Sequence, residues 1–141
     1  MTDTTRRTTP ERGATVEMVE ESAATGRVRE VYDDIKRTKQ IDFIPNFWKT
    51  LATHPALLDD TWQRLKRVMA PGQLDARTKE RLAVAVSATN GCSYCINSHT
   101  AAAMKLGMTA EMYGELLEVV ALFNATNTLA DAFQVRPDVF P

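Results

Sequence analysis

Apolar side chains recur three and four residues apart along most of this chain, and that period limits the fold more than any other feature. Residues 27–39 carry Val28, Val31, Tyr32 and Ile35 on one face and charge on the other, the pattern of an amphipathic helix. After His54-Pro55, a stripe of Leu57, Leu58, Trp62, Leu65, Val68 and Met69 runs up to the stop at Pro71-Gly72. One segment, Leu82-Ala83-Val84-Ala85-Val86, is ambiguous, with the continuous apolar run of a buried strand. Its lead-in, Arg77 to Arg81, is rich in helix formers, and Asp75 is a suitable N-cap, so the expected element is a helix over 76–89. A strand would also need a partner, and no second candidate exists. The expected fold class is all-α, a single helical domain.

Punctuation sets the remaining boundaries. Pro45 opens a short helix carrying Phe47 and Trp48. His54 reads as a capping or surface residue at the start of the following helix. Asn90-Gly91 interrupts, a second helix runs from about residue 92 to 106, and Gly107 closes it. Thr109 then caps a helix expected to end near Asn124. Residues 1–20 read as a disordered leader, because their Thr- and Arg-rich start lacks an apolar stretch. Residues 21–135 form the helical domain, and 136–141 a tail without regular pattern.

Composition removes several function classes. With 17 basic and 18 acidic residues in 141, the net charge of −1 offers no global field for nucleic acid or anionic lipid. No apolar run reaches the roughly 18 residues that would suggest a membrane span. A cytoplasmic location is expected, where two close cysteines are more often catalytic or metal-binding than a structural staple.

The chemistry concentrates in one place. The two cysteines of the chain stand in Cys92-Ser93-Tyr94-Cys95, with His99 four residues on and Glu80 twelve residues before. On one helix, Cys92 and His99 would be about 20° apart around the axis, and Cys95 within about 60° of both. Cys95 would lie about 6 Å from His99 along the axis and Cys92 about 10 Å. A thiolate is the nucleophile in such chemistry, and it is favoured by a helix N-terminus or a neighbouring base. The two influences conflict: the helix start favours Cys92, whereas His99 favours Cys95. Residue physics leaves the roles open. Glu80, inside a charged run, reads locally as a solvated side chain, although Ala76, Ala83 and Val84 at helical spacing permit partial burial.

The set of Glu80, Cys92-Ser93-Tyr94-Cys95 and His99, followed by an Ala-rich stretch and Leu106-Gly107, resembles the core motif of the AhpD-like alkylhydroperoxidase family within the carboxymuconolactone decarboxylase superfamily. Upstream, Ile44-Pro45-Asn46-Phe47 and His54-Pro55-Ala56-Leu57-Leu58 are similar to its peroxidase-related branch. The resemblance implies an AhpD-like helical bundle assembling as homotrimers or homohexamers. It implies Cys95 as the peroxidatic thiol, Cys92 as the resolving thiol, and Glu80 with His99 as a proton relay. It further implies a small-molecule peroxide as substrate, no bound cofactor, and an external dithiol reductant of lipoyl type, carried on a redox protein. Tyr94 stands where AhpD often has a histidine.

Other readings of the same residues are a thiol–disulfide oxidoreductase, a redox-sensing module, or a zinc site of Cys92, Cys95, His99 and Glu80. A third class is an oligomeric helical shell with incidental cysteines. Apolar content beyond what a small bundle covers points to buried subunit faces. Phe43, Ile44, Phe47 and Trp48 are dense enough to form a pocket wall or an oligomer contact.

Overall fold

A computed structural model describes residues 13–141, and those residues are all-helical, with no strand among them. A 3-10 turn at Glu21–Ala23 precedes six helices: α1 (Gly26–Lys39), α2 (Asn46–Leu51), α3 (Pro55–Met69), α4 (Ala76–Thr89), α5 (Ser93–Lys105) and α6 (Ala110–Ala132). The ambiguous apolar run is helical, inside α4. The chain divides into two compact units, one ending at Val68 and the other starting at Met69. The Pro71-Gly72 stop lies just past that division, and each unit has a buried cluster of its own.

The first unit is built on the stripe of α1. Val31, Tyr32 and Ile35 are buried with Trp48, Leu58 and Trp62, and Trp62 meets Trp48 edge-to-face at 5.3 Å. The segment read as the end of a leader is tied down here. Val19 N–H donates to Lys49 O at 3.0 Å, the Tyr32 hydroxyl donates to Val19 O at 2.8 Å, and Glu21 accepts from Ile44 N–H at 2.9 Å. These are contacts between distant positions, invisible to local composition. Residues 1–12 lie outside the described part of the chain.

Asp34 organises the polar edge of this core. It accepts from Trp62 Nε1 at 2.7 Å and pairs with Lys66 and Arg37. The Lys66 hydrogen bond, then that of Trp62, holds its carboxyl down to about 2, below the usual 3.8. A carboxylate whose folded pKa is depressed stabilises the protein above its unfolded value and loses that contribution as pH falls through the folded one. We therefore expect wild type to lose about 1 kcal/mol more than Asp34→Asn between pH 5 and pH 2, after allowance for solvent screening. Urea unfolding at the two pH values measures the difference, and equal losses would contradict it.

In the second unit, Val84 of α4 is buried with Ala103 of α5 and Met108, and Tyr113 and Leu116 pack on them. α6 runs to Ala132, eight residues beyond the expected end. Side chains such as Asn124, Thr126 and Thr128 can compete for backbone groups and end a helix. Here the hydroxyls of Thr126 and Thr128 donate to the carbonyls of Phe123 and Asn124 within the same helix. Among the described residues no helix is long and apolar enough to cross a membrane.

Candidate active site

Two helix caps share one residue and thereby place the cysteines. At the end of α4, Gly91 is left-handed (φ +67°), Gly91 N–H donates to Ala88 O at 3.2 Å, and Cys92 N–H donates to Ser87 O at 3.1 Å. This pair of bonds is a Schellman closure, which prefers glycine at the left-handed position. Cys92 is at once the last residue of that closure and the N-cap of α5. Its backbone is extended, its carbonyl accepts from Ile96 N–H at 2.9 Å, and its sulfur accepts from Cys95 N–H at 3.3 Å. The expected helix start at Cys92 therefore moves to Ser93, because a cap residue must leave helical geometry to turn its side chain onto the first-turn amides.

Ser87 contributed nothing to the motif by spacing, yet it helps hold Cys92. It is buried, its hydroxyl donates to Ala83 O at 2.6 Å, and its carbonyl takes the Cys92 N–H. A serine four residues before Gly91 is the only sequence signal, and it is a weak one. For Gly91→Ala, the added Cβ would meet nothing within 4 Å. The cost is then conformational alone, and we expect about 1–2 kcal/mol, read as a lowered thermal midpoint without loss of helix content. A neutral effect would show that the closure rearranges.

Cys92 and Cys95 are joined as a disulfide, with their Cα atoms 5.3 Å apart, and both are partly buried. His99 follows Cys95 by one turn of α5. Its Nδ1 lies 2.8 Å from Oε2 of Glu80, nineteen residues earlier on α4. The side chains are 28% and 17% exposed, so the pair is shielded but reachable. Beside an ionised carboxylate a neutral imidazole carries its proton on Nδ1, and Nε2 is then the nitrogen that can accept one. Glu80 is thus not the freely solvated charge its local sequence suggests. It faces inward from the same helix as Val84, which is fully buried.

All four residues singled out in the sequence, Glu80, Cys92, Cys95 and His99, belong to the second unit. The packing of α4 against α5 joins Glu80 to His99. Among the described residues no group of three or more His, Cys, Asp or Glu side chains is arranged to hold a metal ion. Phe43 and Phe47, the other dense apolar candidates, are exposed on the first unit, while Trp48 is buried. Chemically, the second unit offers a reducible sulfur pair whose N-terminal member caps α5 and accepts a backbone N–H. One turn beyond the other member is an imidazole whose Nδ1 lies against Glu80.

Residues 55–135 match the carboxymuconolactone decarboxylase family. Among solved structures, the alkylhydroperoxidase AhpD core from Rhodospirillum rubrum is 43% identical, with a TM-score of 0.84 over 89% of this chain and 94% of that one. A 31% identity over 106 residues relates the chain to an (R)-2-haloacid dehalogenase of Pseudomonas putida, covering 75% of this chain and 35% of that protein. An alkyl hydroperoxide reductase of Mycobacterium tuberculosis is 31% identical over 94 residues, covering 67% of this chain and 27% of that protein. The chain spans about a third or less of the length of these last two relatives.

Proposed function

Since this chain belongs to the carboxymuconolactone decarboxylase family and is AhpD-like within it, we propose that it is a dithiol peroxidase reducing organic hydroperoxides. The observation that carries the proposal is the Cys92–Cys95 pair at the start of α5, followed one turn later by His99 in contact with Glu80. Nε2 of His99 takes the proton of Cys95. The Cys95 thiolate attacks the distal peroxide oxygen, the O–O bond breaks, and the departing alkoxide receives a proton from the relay of His99 and Glu80. Cys95 is then a sulfenic acid. Cys92 attacks its sulfur, water departs, and the disulfide forms. An external dithiol, of lipoyl type and carried on a redox protein, returns both thiols.

We propose further that the protein is cytoplasmic and acts as a homotrimer or homohexamer. In support, α6 has no buried residue, and Val119, Leu122, Phe123 and Leu129 are all more than half exposed. A helix that exposes this many large apolar side chains is normally covered. Sedimentation would show the assembly, and a monomer at micromolar concentration would contradict it.

The test of the peroxidase is a thiol count on reduced protein before and after one equivalent of cumene hydroperoxide, with mass spectrometry to map the product. Loss of two thiols into a Cys92–Cys95 bond within seconds is expected. Two unreacted thiols would remove the peroxidase and leave a thiol–disulfide oxidoreductase or a redox sensor.

A further inference from the structure

Resting on this dithiol cycle, we propose that the reductant attacks the Cys95 sulfur of the disulfide, and that Cys92 departs as a thiolate held by the N-terminus of α5. Peroxide and reductant then meet the same sulfur in the two halves of the cycle. Cys92 never leaves its cap: it is the resolving nucleophile in one half and the leaving group in the other.

Two independent placements carry this choice. The first concerns where the electron pair goes. Cys92 Sγ occupies the N-cap position and already accepts Cys95 N–H at 3.3 Å. Its backbone is fixed on both sides, through Cys92 N–H to Ser87 O at 3.1 Å and Ile96 N–H to Cys92 O at 2.9 Å. A sulfur that gains charge at this point finds an amide donor and the positive end of the helix dipole without any rearrangement. Cys95 lies inside the first turn, where its own N–H is spent on Cys92.

The second placement concerns the proton. The attacking thiol must lose one, and the available base is Nε2 of His99, because Nδ1 is engaged by Glu80 at 2.8 Å. His99 is one turn, about 6 Å of rise, from Cys95, against about 10 Å from Cys92. Cys95 is thus the sulfur nearer the base along the helix. A thiol attacking Cys92 would have to expel Cys95, whose own N–H is spent on the Cys92 sulfur.

The steps balance as follows. His99 takes the proton of the first reductant thiol, and the resulting thiolate bonds to Cys95 Sγ. The Cys92–Cys95 bond breaks with its electron pair on Cys92. The second reductant thiol, giving its proton to the Cys92 thiolate through solvent, attacks its partner sulfur in the mixed disulfide. Cys95 departs and recovers the proton held by His99. The reductant is oxidised by two electrons to its cyclic disulfide, and the protein disulfide is reduced to two thiols. Exchange is fastest when the better-stabilised thiolate leaves, which is the direction written here.

A monothiol stalls the sequence at the mixed disulfide and makes the regiochemistry readable. Wild-type protein, oxidised with diamide, is mixed with 2-mercaptoethanol, quenched in acid at early times, blocked with N-ethylmaleimide and mapped by mass spectrometry. The mercaptoethanol adduct is expected on Cys95 with maleimide on Cys92, in about threefold or greater excess over the reverse. A majority on Cys92, or an even split, overturns the proposal. As a second readout, alkylation of Cys92 in Cys95→Ser should reach half its maximal rate below pH 8.5, the ordinary thiol value. A midpoint at or above that value also overturns it. Because diamide forms the disulfide, failure of the peroxidase reading would show separately, as thiols untouched by hydroperoxide.

Discussion

Cys95→Ser is expected to abolish peroxide turnover, with a fall on the order of 10³-fold or more, as when a reacting nucleophile is removed. A hydroxyl in place of the thiol has neither the acidity to ionise beside His99 nor the affinity of sulfur for peroxide oxygen. Cys92→Ser should fail differently. Cys95 would still consume one equivalent of hydroperoxide, but without a partner its sulfenic acid would persist or climb to sulfinic acid, so the reaction stops after a single event. Peroxide consumption with a dithiol present, together with the mass of Cys95 after exposure, separates the two. Steady turnover by Cys95→Ser would transfer the peroxidatic role to Cys92 and reverse the scheme.

Trp62→Ala is expected to cost about 3–5 kcal/mol of stability, the range for removing a large buried aromatic side chain. Trp62 is 0% exposed, stacks edge-to-face on Trp48 and donates to Asp34. Its removal empties the centre of the first unit. It also takes one donor from a carboxylate that Lys66 and Trp62 hold below its usual pKa. Because typical domains have only about 5–15 kcal/mol in total, this unit should be near the edge of folding at 37 °C. Trp62→Phe keeps most of the volume and loses the Nε1–H bond, so about 1–2 kcal/mol is expected there. Denaturant unfolding of both variants gives the ordering. A loss below about 1 kcal/mol for the alanine would mean that the core closes over the gap.

The motif itself was readable because its central relations are local. Cys92 and Cys95 are three residues apart, and His99 follows Cys95 at the spacing of one helical turn, so helix geometry alone brings them together. The caps were local too: Asp75 accepts from Thr78 N–H at 2.7 Å, Thr109 from Met112 N–H at 3.2 Å, and His54 Nδ1 from Leu57 N–H at 3.2 Å. Glu80 was different. Nothing in Arg77-Thr78-Lys79-Glu80-Arg81 distinguishes it from its charged neighbours, and only a family resemblance marked it. Its contact with His99 arises because α5 folds back on α4 through the turn at Gly91.

By itself, then, the chain's order of residues determined what depends on neighbours within about one helical turn. That covers the all-helical class, the caps at Asp75 and Thr109, the Pro71-Gly72 and Gly107 stops, and the sulfur pair with its imidazole. Tertiary structure decided what depends on positions far apart. It set the division into two cores, the tying of Val19 and Glu21 onto the first unit, the Asp34–Trp62–Lys66 cluster, and the pairing of Glu80 with His99. It also decided the role of Cys92 as a cap, since one residue had to end α4 and begin α5 together. The reason is the range of the forces: a turn of helix or a cap closes within a few residues. A partly buried carboxylate contact such as Glu80 with His99 is specified only when two helices have packed together.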